Sequence, residues 1–296
     1  MSARRLGYAL ATSVGLFGAA ETLARLPGAW AERRALASIP APDVARGLRL
    51  ACAGDSVTWG FPAGPESAWP RVLAEADALA GVEVENLGLP GSAADAAFRR
   101  AHAWLAERPP PPTPTVVLFL AGINDCAHLR TDREVPVGAL ASVLRDGLSH
   151  LVTYRVLTQV VLRVRPTAGH SDLPSPVPGA LAACRTKVRQ GVAAAAQLRA
   201  PGKVGVAVLT YGAATEGVDD SGQSAWLATL VNDALRGEAR AQEVPMVDTA
   251  ACLAERGRAV LDAPLYVRDG LHLTTAGNRA MAACVGASLP EVLREL

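Results

Sequence analysis

The sequence predicts an α/β protein whose parallel sheet is covered by helices on both faces. Three observations predict it. First, short and almost wholly apolar runs recur along the chain, as in LRLACAG (residues 48–54), TVVLFLAG (115–122) and KVGVAVLTYG (203–212). Continuous apolar runs of this length suit strands buried on both sides. Second, these runs alternate with stretches of helical apolar spacing, and that alternation implies a parallel sheet. Third, LRLACAG and TVVLFLAG end in glycine-bearing turns that carry Asp, Ser or Asn. In open α/β sheets, ligands bind beyond that edge.

The elements follow in order. LRLACAG is the first strand, and a helix is expected over 69–80. VEVENLGLP (82–90) is the second strand, followed by a helix over about 93–108. The proline run 109–112 reads as a stiff connector to TVVLFLAG. An insertion around 127–201 comes next, with helical spacing over 148–164, a loop by composition (TAGHSDLPSPVPG), and a second helix over 179–198. It could wall the site or merely cover a sheet edge. KVGVAVLTYG and VPMVDTA (244–250) are the later strands, and a last helix runs over 275–296. Of the 296 residues, half are hydrophobic, ample for one large α/β domain or two small ones.

The first residues stand apart. Arg4 and Arg5 precede an uncharged run over 6–20, the pattern of an export signal. Gly18 to Ala20 could serve as a cleavage site. Alternatively the helix continues to Leu26, stops at Pro27-Gly28 and spans a membrane. A third reading is an apolar surface helix. Residues 1–27 are thus expected to be a signal or anchor, with membrane association through 6–26, a linker over 28–47, and the main domain over 48–296 outside the cytoplasm.

Composition excludes several classes. The net charge is +1, the arginines are scattered, and aromatics make up 4%. Neither a basic stripe nor stacking platforms for bases are present, so nucleic acid is not an expected partner. None of the five cysteines forms a CxxC pair, which speaks against zinc, and no cofactor or metal is expected. Their odd number leaves at least one thiol free in a monomer. Cys52 and Cys284 read as small buried hydrophobes, and pairing among the others stays open.

The chemistry lies at four strand-end blocks: Gly54-Asp55-Ser56, Gly88-Leu89-Pro90-Gly91-Ser92, Gly122-Ile123-Asn124-Asp125 and Asp269-Gly270-Leu271-His272. Alone, each has an ordinary reading. Ser56 could cap a helix, GIND could be a turn, and NLGLPG lacks the full dinucleotide pattern. Together they supply an acyl-transfer site. A serine needs a base to take its proton, and the base needs an orienting carboxylate. Asp269 and His272, three apart in one loop, can meet while the far imidazole nitrogen faces Ser56. The main-chain N–H groups of Ser56 and Gly91 and the amide of Asn124 would hold the oxyanion. Asp125 is expected to hold its loop by hydrogen bonds. GDSVT is not a GxSxG elbow, which counts against the α/β-hydrolase fold.

This ordered set resembles the GDSL/SGNH hydrolase superfamily of esterases and lipases over about residues 48–290. GDS falls on its first block, Gly91 on its second, Asn124 on its third, and DGLH with LTTAGNRAMA on its last. The resemblance implies a three-layer α/β/α fold with a five-stranded parallel, flavodoxin-like sheet. It also implies Ser56 as nucleophile and no metal. The N-terminal AETLARLPG and the insertion's LSHLVTYRVLTQVVLRVR are similar to a bacterial subgroup with a membrane-anchored N-terminus. Trp59 and Tyr211 are candidate substrate-binding residues. The alternatives are an indole packed under the adjacent loop and a tyrosine facing the core. The expected activity is ester hydrolysis through an acyl-enzyme, lost at low pH as His272 protonates. Removal of O-acetyl groups from a carbohydrate and acyl transfer to a sugar or lipid use the same residues. A binding protein on the same fold would not need the intact set.

Overall fold

The computed structural model describes residues 47–76, 79, 81–107, 114–130, 178–214, 221–259, 265–267 and 269–294. The expected signal or anchor (1–27), nearly all of the linker (28–47), the proline run and the 148–164 helix lie outside these residues.

Five strands form one sheet in the order β2-β1-β3-β4-β5, and every adjacent pair is parallel. They are β1 (Arg49–Gly54), β2 (Glu83–Gly88), β3 (Thr115–Leu120), β4 (Val204–Leu209) and β5 (Met246–Val247). Residues of β3 and β4 are buried along their whole length, as apolar runs with no alternation require. The edge strand β2 is half-buried, and its sequence EVENLG carries the polar residues an edge tolerates.

The helices are α1 (Ser56–Trp59), α2 (Trp69–Ala74), α3 (Ala94–Glu107), α4 (Pro178–Ala196), α5 (Ser221–Ala241), α6 (Thr249–Ala259) and α7 (Thr275–Arg294). Helices α3, α4 and α5 pack side by side as one layer. Helices α2, α7 and α6 form the other. No described helix is long and apolar enough to cross a membrane.

Some elements differ from expectation. Helix α2 is shorter than 69–80, its C-cap being Glu75. Strand β5 has two residues where seven were expected, because Asp248 starts a helix. Asp248 Oδ1 accepts from the Ala251 N–H at 3.2 Å, a side-chain cap that turns the chain out of the sheet. Helices α5 and α6 were not foreseen. In α5, Leu227, Val231, Ala234 and Leu235 recur at helical spacing and are all buried.

The cysteine reading needs one correction. Cys52 is free and buried, but Cys284 is disulfide-bonded to Cys252. It is buried as expected, yet α6 and α7 run side by side and bring the two Cα atoms to 5.9 Å. A second disulfide joins Cys126 to Cys184, tying the chain after β3 to α4.

Candidate active site

The order β2-β1-β3 makes the chain leave β1 and β3 for opposite sides of the sheet, and their carboxyl ends form the switch point where such sheets bind ligands. In the register of the sheet, Gly54 lies opposite Gly88 on one side and Leu120 on the other. Three of the four sequence blocks therefore begin side by side. A Cβ on Gly54 would sit 2.1 Å from Thr58 Oγ1 and 2.5 Å from the Leu120 carbonyl. Only glycine lets α1 settle so close to the sheet.

Asp55 caps α1 by accepting from the Val57 N–H at 2.9 Å. Ser56 is the first helical residue, so its own N–H points out of the helix without an intrahelical acceptor. Ser56 is 8% exposed, and its Oγ lies 2.8 Å from His272 Nε2. The opposite nitrogen, His272 Nδ1, lies 2.5 Å from Asp269 Oδ2.

The three-residue spacing of Asp269 and His272 has a local cause. Asp269 Oδ1 accepts from the Leu271 and His272 N–H groups, each at 2.9 Å, and folds the loop back on itself. Gly270 sits at φ 72° inside that turn. The second oxygen, Oδ2, is thereby left facing the ring. Burial pushes the Asp269 carboxyl up, but the His272 charge and these hydrogen bonds outweigh it and hold the carboxyl down to about 2. The carboxylate stays ionised and fixes Nδ1 as the protonated nitrogen, so Nε2 offers its lone pair to the Ser56 hydroxyl. Phe61 packs edge-on against the imidazole, with ring centroids 5.0 Å apart. Thr274 accepts from the Gly277 N–H at 3.1 Å and starts α7 directly behind the loop.

The second and third blocks join each other. Leu89-Pro90-Gly91-Ser92 closes with a hydrogen bond from the Ser92 N–H to the Leu89 carbonyl at 3.1 Å. Proline at the second position and Gly91 at φ 79° in the third are the residues a type II turn requires. Gly91 is exposed. Asn124 donates an amide N–H to the Ser92 carbonyl at 2.9 Å, and that amide has a second N–H. Asp125 accepts from the Ala94 N–H at 2.8 Å, holding the start of α3 to its own loop as the sequence predicts.

Trp59 and Tyr211 are the candidate substrate-binding residues. Trp59 is 7% exposed, and Tyr211 is 1% exposed and part of the core. The Tyr211 hydroxyl donates to Asp55 Oδ2 at 2.5 Å, beneath the helix that carries Ser56. Asp55 and Arg100 are polar residues given no role from sequence. Arg100 donates to the carbonyls of Leu87 at 2.9 Å and Gly54 at 2.7 Å, bracing the ends of β2 and β1. Its place in an Arg-Arg pair was the only sign of it, and the partners lie 13 and 46 residues away. A cavity of about 950 Å³ lies at the opposite edge of the sheet, lined by Leu48, Pro114, Val204, Pro290 and Leu293, and takes no part in this site.

The sequence pattern of the GDSL-like Lipase/Acylhydrolase family matches residues 52–280. Solved structures share the fold. A member of the lipolytic protein G-D-S-L family from Veillonella parvula is 15% identical with a TM-score of 0.51, covering 84% of this chain and 100% of its own. An α/β hydrolase enzyme from the metagenome of Lake Arreo, Spain, is 16% identical with a TM-score of 0.50, covering 84% of this chain and 98% of its own. No curated protein matches the sequence.

Proposed function

Since this chain belongs to the GDSL-like Lipase/Acylhydrolase family, we propose that it is a serine hydrolase that cleaves carboxylic esters through an acyl-enzyme. The observation that carries the proposal is the unbroken path from Ser56 through His272 to Asp269, at 2.8 and 2.5 Å. Ser56 Oγ attacks the ester carbonyl while His272 Nε2 takes its proton. Asp269 stabilises the imidazolium that forms. The Ser56 and Gly91 N–H groups and the second amide N–H of Asn124 receive the oxyanion. His272 then protonates the leaving alkoxide, and in the second half it activates water to release the acid and restore Ser56.

Residues 6–26 export or anchor the chain, and the catalytic domain works outside the cytoplasm. The basic pair ahead of the apolar run supports this, as do the two disulfides, since such bonds persist mainly in oxidising compartments.

The test is hydrolysis of p-nitrophenyl esters from acetyl to long-chain by wild type and Ser56→Ala. Turnover is expected in wild type and lost by about 10⁴-fold or more in the variant. Equal turnover in both would refute the assignment. The chain-length profile then separates a short-acyl esterase or deacetylase from a lipase, and product analysis with a competing alcohol detects acyl transfer.

A further inference from the structure

Beneath the nucleophile lies a charged group that the proposed mechanism does not use. Asp55 is fully buried, and both its oxygens are engaged. Oδ1 caps the helix that carries Ser56, and Oδ2 accepts the Tyr211 hydroxyl. Tyr211 follows β4 and is locked by a reciprocal pair with Asn232. Its N–H donates to Asn232 Oδ1 at 2.7 Å, and its carbonyl accepts from Asn232 Nδ2 at 2.8 Å. The same hydroxyl oxygen lies 3.5 Å from the N–H of Ile123, the residue before Asn124. One phenolic oxygen thus stands between the nucleophile's helix and the loop of the expected oxyanion donor.

A purely structural role would not need this chemistry. Serine or asparagine caps a helix about as well as aspartate, and phenylalanine would fill the tyrosine's volume. A buried carboxylate, by contrast, is costly unless its charge is used or compensated. Three groups face Asp55: Tyr211, Arg100 of α3, and His272 of the loop before α7. Asp125 acts on Tyr211 from the side of its own loop. The Arg100 guanidinium braces two carbonyls and keeps its charge throughout, so His272 is the partner whose charge changes during turnover.

We propose that Tyr211 and Asp55 are positioning residues for ester hydrolysis, a reading that rests on the serine-hydrolase assignment. Tyr211 aligns the helix of Ser56 with the loop of Asn124. Asp55 places a second negative charge below the imidazolium that forms as Ser56 gives up its proton. Tyr211 also keeps that charge in place. Burial raises the Asp55 carboxyl to about 6, and the Tyr211 hydrogen bond is the largest influence opposing the rise. Without the hydroxyl, Asp55 takes up a proton at still higher pH.

The experiment measures kcat and KM for a p-nitrophenyl ester from pH 5 to 9 in wild type, Ser56→Ala, Tyr211→Phe and Asp55→Asn. In parallel, the rate at which a fluorophosphonate labels Ser56 is followed; there the serine oxygen bonds to phosphorus, fluoride leaves and His272 takes the proton. In Tyr211→Phe, kcat should fall about tenfold with KM within twofold, and the acid limb should move up by half a pH unit or more. Asp55→Asn should also lower kcat, but its acid limb should move down, because the second negative charge that favours the imidazolium is gone. Labelling rates should follow kcat. A merely structural role would scale each profile down without moving it, and that result, or wild-type kinetics in Tyr211→Phe, overturns the proposal. Should Tyr211→Phe fail to fold, the downward shift in Asp55→Asn decides. Turnover surviving in Ser56→Ala would instead overturn the hydrolase assignment itself, a separately readable outcome.

Discussion

Asp55→Asn should make the protein more stable relative to wild type at pH 8 than at pH 4.5. The folded state holds the Asp55 proton up to about pH 6, against an ordinary 3.8 for the exposed carboxyl of the unfolded chain. Between those values the folded chain binds more protons, so wild-type stability falls as pH rises through the window. The full cost of the buried charge is about 3 kcal/mol at neutral pH, at about 1.4 kcal/mol for each tenfold in proton affinity. About 2 kcal/mol of it is incurred between pH 4.5 and 8. Asparagine never ionises and escapes that loss. Its oxygen can still accept from Val57, but the Tyr211 hydroxyl then lacks its acceptor, which costs about 1–3 kcal/mol at every pH. The absolute effect of the substitution is therefore less telling than its pH dependence. Urea unfolding at 25 °C, with both proteins at both pH values, isolates that dependence. The variant should gain about 2 kcal/mol on wild type between pH 4.5 and 8, equal to about 4–8 °C in Tm for a domain of this size. Parallel stability curves would show that Asp55 does not titrate in this window, and the reasoning would fail.

Asp269 should act in the opposite sense. Its carboxyl is held near 2 in the folded state, so it adds about 2 kcal/mol above pH 4 that disappears as pH falls toward 2. Asp269→Asn should flatten the acid arm of the unfolding curve and lower kcat by about 10⁴-fold through the wrong imidazole tautomer. Asn124→Ala removes the proposed oxyanion donor and the tie to Ser92. We expect kcat to fall about 10²–10³-fold with KM little changed, read from initial rates on the same ester. Replacing Cys126 and Cys184 together by alanine opens a cross-link spanning 58 residues beside the Asn124 loop. That change should cost about 2–4 kcal/mol in urea unfolding under non-reducing conditions, and reductant should remove most of the difference.

How far the sequence reaches is clearest at particular residues. Strands β1, β3 and β4 were legible because a strand buried on both faces must be apolar throughout, and no other element of that length needs to be. Asp269 and His272 were legible as a pair because their contact is made within one turn of chain, by main-chain groups the spacing itself supplies. Helix α5 is not among the sequence expectations, although its apolar spacing is regular. VPMVD has the apolar pattern of a strand, and only the Asp248 cap ends β5 after two residues.

What the sequence by itself determined is the alternation of strand and helix, the strand-end blocks and the residues that can do the chemistry. These depend on local periodicity and on contacts a few residues long. The tertiary structure alone decided that Cys284 pairs with Cys252 and that Tyr211 turns inward to Asp55. It also decided that Arg100 braces two strand ends. Tyr211 and Asp55 stand 156 residues apart, and no periodicity connects them. They meet because β1 and β4 flank β3 in one sheet, and that order is set by packing the whole core at once.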